Sequence, residues 1–264
     1  MKKILLTILP LTVLLFAACD EVSKEDRLTY VEPPEVSRAV LIEDFTGQYC
    51  VNCPRATDEI ERLVEEYGDT TVIAVAIHSG PFSKQKGVPS PLYTTVGDEY
   101  FSNWGLSSQP VGLVDRAFDA TPLSFTDWAA VVNYEIGFKA PVSFMTTSTY
   151  DAASQQASIE VQTIGLDSAR VTGKLQVWLV EDSIDSFQYM PDGSMTEHYN
   201  HMHVFRASVN DTWGDDVVIN HGEVVTKSYN LAMDPSWVPE HCSIVTFLYD
   251  ESGVRQVFKT KLNY

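Results

Sequence analysis

The chain has 264 residues, 44% of them hydrophobic and 20% charged, a globular composition long enough for one large core or two modest ones. Its 36 acidic residues outnumber 18 basic ones and give a formal net charge of −18. A surface of that sign repels nucleic acid and anionic headgroups, so nucleic acid is excluded as a partner.

The N-terminus reads as an export signal. Lys2 and Lys3 precede an apolar stretch from Ile4 to Phe16, and the small residues Ala17 and Ala18 lead to Cys19. The stretch is shorter than the roughly 20 apolar residues of a membrane-spanning helix. Ala-Ala-Cys resembles the bacterial lipobox, which implies cleavage after residue 18 and lipid attachment at Cys19. Residues 19–36 are acidic and poor in apolar side chains and contain the Pro33-Pro34 pair near their end, the composition of a flexible tether.

The remainder divides at about Ala140, into a first domain over 37–139 and a second over 140–264. In the first, Ala39–Phe45 is a short apolar run that predicts a buried strand. Cys50-Val51-Asn52-Cys53-Pro54 follows, with Pro54 suited to the first turn of a helix. Ile60, Leu63, Val64 and Tyr67 then fall at helical spacing, and Gly68 is a stop. Thr71–Ile77 is a second strand, and a Gly/Pro/Ser-rich loop over Ser79–Pro91 leads to a helix over Tyr93–Trp104. Val111–Val114 is a third strand and Phe125–Phe138 a further helix. This alternation predicts an α/β domain. After Pro141 the pattern changes to alternating segments such as Ser158–Thr163, Lys174–Val180 and Ser243–Tyr249, divided by turn residues. That texture predicts an all-β, Ig-like sandwich.

The chemistry concentrates at the cysteine pair. A helix N-terminus favours a thiolate at Cys50, and Cys53, one turn later, is placed to resolve a mixed disulfide. On this reading Cys50 is exposed and nucleophilic and Cys53 more buried. The alternative is an inert local disulfide in an oxidising envelope. Zinc requires four ligands, and the chain has no second such pair. His198, His201 and His203 are read as hydrogen-bonding residues at a junction, so neither a metal nor another cofactor is expected. Cys242, in an apolar strand, reads as a buried free thiol, and Trp178 and Trp213 as core residues.

Asp44-Phe45 ahead of Tyr49-Cys50-Val51-Asn52-Cys53 resembles the thioredoxin superfamily, with Tyr49 where that family carries tryptophan. The resemblance implies a thioredoxin-like fold for 37–139 and a buried carboxylate at Asp44 that assists proton transfer at Cys53. Gly105–Val111 resembles the segment that ends in that family's cis-proline. This implies a cis bond before Pro110, next to the cysteines, with Gln109 and Tyr49 contacting substrate. Over nearly the whole mature length, Asp44–Pro54, Val177–Asp182, Tyr199–Arg206 and Trp213-Gly214 resemble the Bacteroidetes outer-membrane lipoproteins named for a size of about 28 kDa. That implies a lipid-anchored outer-membrane location, with outward display suggested by the acidic segment after Cys19. Two functions follow as expectations: a thiol-disulfide oxidoreductase acting on protein thiols, or a displayed binding protein for an envelope or host partner in which the disulfide is structural.

Overall fold

The computed structural model describes residues 36–264. The signal, Cys19 and nearly all of the tether lie outside the described residues. The strands are β1 (Val40–Thr46), β2 (Val72–His78), the short β3 (Lys84–Gln85) and β4 (Val88–Pro89), β5 (Val111–Val114), β6 (Val142–Asp151) and β7 (Gln156–Gly165). They continue as β8 (Val171–Glu181), β9 (Ile184–Tyr189), β10 (Met195–His201), β11 (Val204–Ser208), β12 (Asp215–Ile219), β13 (Val224–Ala232), β14 (Cys242–Asp250) and β15 (Gly253–Lys261). The helices are α1 (Cys53–Tyr67), α2 (Thr95–Asn103), the four-residue α3 (Ala117–Ala120) and α4 (Trp128–Glu135).

The elements expected in the first half are present, but they do not build the expected fold class. The structure is mostly β, 46% strand and 20% helix, and no thioredoxin-like α/β domain stands on its own, nor does an Ig-like sandwich. One mixed sheet takes strands from both halves, in the order β15-β14-β8-β11-β2-β1-β5 with β12 on β8. β1 and β2 are parallel, but β5 runs antiparallel to β1. β11 joins the halves where Val204 meets Ala76, whose N–H donates to the His203 carbonyl at 2.8 Å. Sequence alternation reports which side chains face a core; it does not report which strand takes a free edge.

The sheet curls until its ends meet. Val254 of β15 donates its N–H to the Asp115 carbonyl beyond β5 (2.6 Å), the Arg38 guanidinium bonds the Val254 carbonyl, and Ala39 N–H donates to Gln256 Oε1 at 2.9 Å. Leu41, Phe45, Val75, Trp178, Phe205, Phe247 and Val254 form one buried core within the curl. On the outer side of β1, β2 and β5, Ile60 and Leu63 of α1 and Trp128 and Val132 of α4 cover Val40, Ile42, Val72 and Val114. Gly112 of β5 is fitted to that layer, because a Cβ there would collide with the Trp128 ring. The outer side of β8 and β14 is covered by a three-stranded antiparallel sheet, β13-β7-β6.

Candidate functional site

The cysteine pair sits where β1 hands over to α1. Cys53 is the first residue of the helix and Pro54 follows in its first turn. Cys50 and Cys53 form a disulfide with Cα atoms 5.4 Å apart. Gly47 turns the chain against the Phe82 backbone, too close for any Cβ, and Tyr49 N–H donates to the Phe82 carbonyl at 2.9 Å.

Cys50 is not exposed. It and Cys53 are each 2% exposed, because the β9–β10 hairpin lies over the pair. Gln188 Nε2 donates to the Cys50 carbonyl (3.0 Å) and the Gly47 carbonyl (3.3 Å). In return, Gln48 Nε2 donates to Ser186 Oγ (2.9 Å) and the Phe187 carbonyl (2.8 Å), and Tyr189 N–H to the Gln48 carbonyl (2.9 Å). The Tyr49 ring packs between Phe187 and Tyr189, with centroids 5.2 and 5.7 Å away. Tyr49, expected to meet substrate, instead meets the protein's own hairpin.

Asp44 is buried, and burial alone pushes its carboxyl up to about 8. It lines a small, partly open cavity of about 20 Å³, room for a single water-sized group, together with Cys53, Thr57, His78, Tyr199 and His201. Asp44 Oδ1 and His78 Nδ1 have no hydrogen-bond partner among the described residues. The His78 and His201 rings meet edge to face at 5.3 Å. Burial holds both below the usual histidine range, His201 at about 4. His201 Nε2 lies 3.2 Å from the Phe187 carbonyl, a contact between the hairpin's own two strands, and its ring on His78 is what joins it to β2.

The Gln109–Pro110 bond is cis, as the resemblance implies. The Gln109 side chain is already engaged: Nε2 donates to the carbonyls of Thr46 (2.6 Å) and Ser79 (2.9 Å), and Oε1 accepts from Phe82 N–H (3.2 Å). The three histidines at 198, 201 and 203 are separated. His198 pairs at the surface with Asp185 (2.9 Å), His201 faces the cavity, and His203 pairs with Asp182 (3.0 Å). Among the described residues no group of three His, Cys, Asp or Glu is placed to hold a metal. Cys242 is a buried free thiol, pushed up to about 12 by burial. Trp178 is buried in the core, and Trp213 packs beside Tyr100 and Trp104.

Sequence reasoning passed over two sets of residues. Gln48 and Gln188 carry the clasp just described. Glu43 and Arg116 form a buried ion pair (2.8 and 2.9 Å) inside the curl, with the guanidinium 4.4 Å from the Tyr249 ring and 5.2 Å from those of Trp104 and Phe247. Adjacent acids at 43 and 44 carried no local signal that both turn inward; only their place in a buried strand hints at it.

Fold and site define a mostly β protein whose CxxC disulfide is closed beneath a hairpin. The chain belongs to the Omp28 family of outer membrane proteins, whose family model matches residues 97–264. Its location is the outer membrane. Among solved structures it is similar to HBP35 of Porphyromonas gingivalis, at 14% identity and TM-score 0.67, covering 86% of this chain and 76% of that one. An Agrobacterium tumefaciens protein from structural genomics is similar at 13% identity and TM-score 0.50, covering 87% and 96%. A domain of the outer membrane lipoprotein Omp28 from Porphyromonas gingivalis is 26% identical, covering 47% of this chain and 97% of that one, with TM-score 0.35. No curated protein matches the chain.

Proposed function

We propose that the protein is held in the outer membrane by lipid at Cys19 and acts there as a binding protein whose Cys50–Cys53 disulfide is structural. The observation that carries this reading is the closure over the pair: Cys50 is 2% exposed beneath β9. An attacking thiolate must reach a disulfide sulfur in line, and a sulfur covered by a hydrogen-bonded hairpin offers no such approach. The partner is an envelope or host protein. The test compares the wild type with a Cys50→Ser, Cys53→Ser variant in insulin reduction and scrambled-disulfide exchange. The expected result is no turnover by either, with the oxidised wild type resisting dithiothreitol. Turnover by the wild type that the double variant lacks overturns the reading. For the anchor, Cys19→Ser is expected to release the protein from the membrane fraction.

One observation favours the oxidoreductase reading: Asp44 shares a cavity with Cys53, where a carboxyl pushed up to about 8 can exchange a proton with the resolving thiol. On that reading Cys50 is the nucleophile, Pro110 and Gln109 align a protein-thiol substrate, and the hairpin has to swing aside first.

A further inference from the structure

We propose that the exposed aromatic cluster Phe118, Tyr134 and Phe138 is the face the protein lays on the phospholipid leaflet that holds its anchor; the inference rests on lipid attachment at Cys19. The three side chains are 57%, 55% and 43% exposed. They form one patch: the Phe118 and Tyr134 rings stack at 6.1 Å, and Tyr134 meets Phe138 edge-on at 5.1 Å. Aromatic side chains with an apolar body and, for Tyr134, a polar tip collect at the headgroup boundary of bilayers.

The chain's own route picks the bilayer over other occupants. The described residues begin beside the patch: Ala140 N–H donates to the Val36 carbonyl (3.2 Å), Ser37 bridges Lys139, and the Arg38 guanidinium lies 5.8 Å from the Phe138 ring centre. The segment between Cys19 and Val36 therefore enters the fold at this face, and its greatest possible reach is about 60 Å. This face is therefore the one that adjoins the point where the chain runs back toward its anchor.

Charge agrees. The protein as a whole carries −18, yet among the described residues the stretches 117–120 and 134–139 expose few charged side chains, Asp119 and Lys139. Glu135, between the rings, is buried in an ion pair with Arg38 at 3.0 Å.

Phe118 is also held outward against its own backbone preference. Asp115, Arg116, Phe118, Asp119 and Ala120 all have φ between +49° and +57°, a left-handed run that side-chain-bearing residues avoid. Buried anchors impose it: Arg116 on Glu43, and Asp115 Oδ1 accepting from Leu41 N–H at 2.7 Å.

The test uses the mature lipidated protein in phosphatidylcholine–phosphatidylethanolamine vesicles, with an environment-sensitive fluorophore on Phe118→Cys; the buried Cys242 and the closed disulfide do not compete for label. The control label sits on Val218→Cys, in β12, where Val218 is 47% exposed. Expected are a several-fold fluorescence rise at position 118, quenching there by brominated lipid, little dependence on salt, and no response at 218. Equal responses at both positions, or none while the protein co-floats with the vesicles, overturn the proposal. So does a rise at 118 that tracks protein concentration without lipid, which identifies a second copy as the occupant. Failure to co-float overturns the anchor as well, which separates the two claims.

Discussion

Asp44 is the residue whose chemistry is set most fully by burial. Its carboxyl titrates near 3.8 when solvated and at about 8 in the fold, so the folded state holds the proton more tightly than the unfolded chain. Its contribution is complete below pH 3.8 and is lost as pH rises through 8, at a limiting slope of about 1.4 kcal/mol per pH unit. Urea midpoints are expected to fall between pH 6.5 and pH 8 in the wild type and to fall less in Asp44→Asn, where the buried Asp115, also pushed up to about 8 by burial, still titrates. His201 acts in the opposite sense: held at about 4 against 6.5, it favours the fold above 6.5 and withdraws that support as pH falls toward 4. The Glu43–Arg116 pair gives a second expectation at this scale. Arg116→Met leaves Glu43 buried without its cation and should cost about 3–5 kcal/mol, whereas Glu43→Gln with Arg116→Met should cost less. Denaturant unfolding of the two variants beside the wild type measures the difference. Asp44 was legible from its spacing to Cys50. Its neighbour Glu43 was not, because its partner lies 73 residues away.

Among the elements, the β9–β10 hairpin decides how the cysteine pair behaves. It forms a two-stranded sheet of its own and is held to the rest by the Gln48 and Gln188 amides, the Tyr49 ring and the edge-to-face contact of His201 with His78. A lone hairpin is marginal in water, so these contacts keep it closed. Gln188→Ala removes the donor to three backbone carbonyls, two of them outside the hairpin, a loss of about 1–3 kcal/mol. Dithiothreitol should then reduce Cys50–Cys53 roughly tenfold faster or more, read as thiol release over time; an unchanged rate would show that the hairpin does not shield the sulfurs. The strand and helix at the cysteine pair were legible from local periodicity, with α1 beginning at Cys53. The clasp was not, because residues 184–201 lie far along the chain and carry no pattern that names their target.

At the scale of the molecule, the shared sheet makes the two halves one folding unit. Trp178, Phe205 and Phe247 from the second half complete a core with Leu41, Phe45 and Val75 from the first, and the sheet's ends are bonded through Val254 and Asp115. Calorimetry is expected to give one transition with matching van't Hoff and calorimetric enthalpies; two resolved transitions would contradict the shared core. The disulfide spans so short a loop that its loss costs only about 2 kcal/mol in the chain-entropy picture. Cys50→Ser with Cys53→Ser should therefore fold, with a lower melting temperature.

By itself the sequence determined the local elements of the first half, the disulfide-forming pair, the buried thiol of Cys242 and the outer-membrane family, since each is written in short-range spacing or a contiguous motif. The tertiary structure alone decided that β11 meets β2, that β5 turns antiparallel, and that a hairpin closes over Cys50. Edge pairing and capping depend on which distant surfaces bury the most apolar area together. Periodicity along the chain carries no record of that choice.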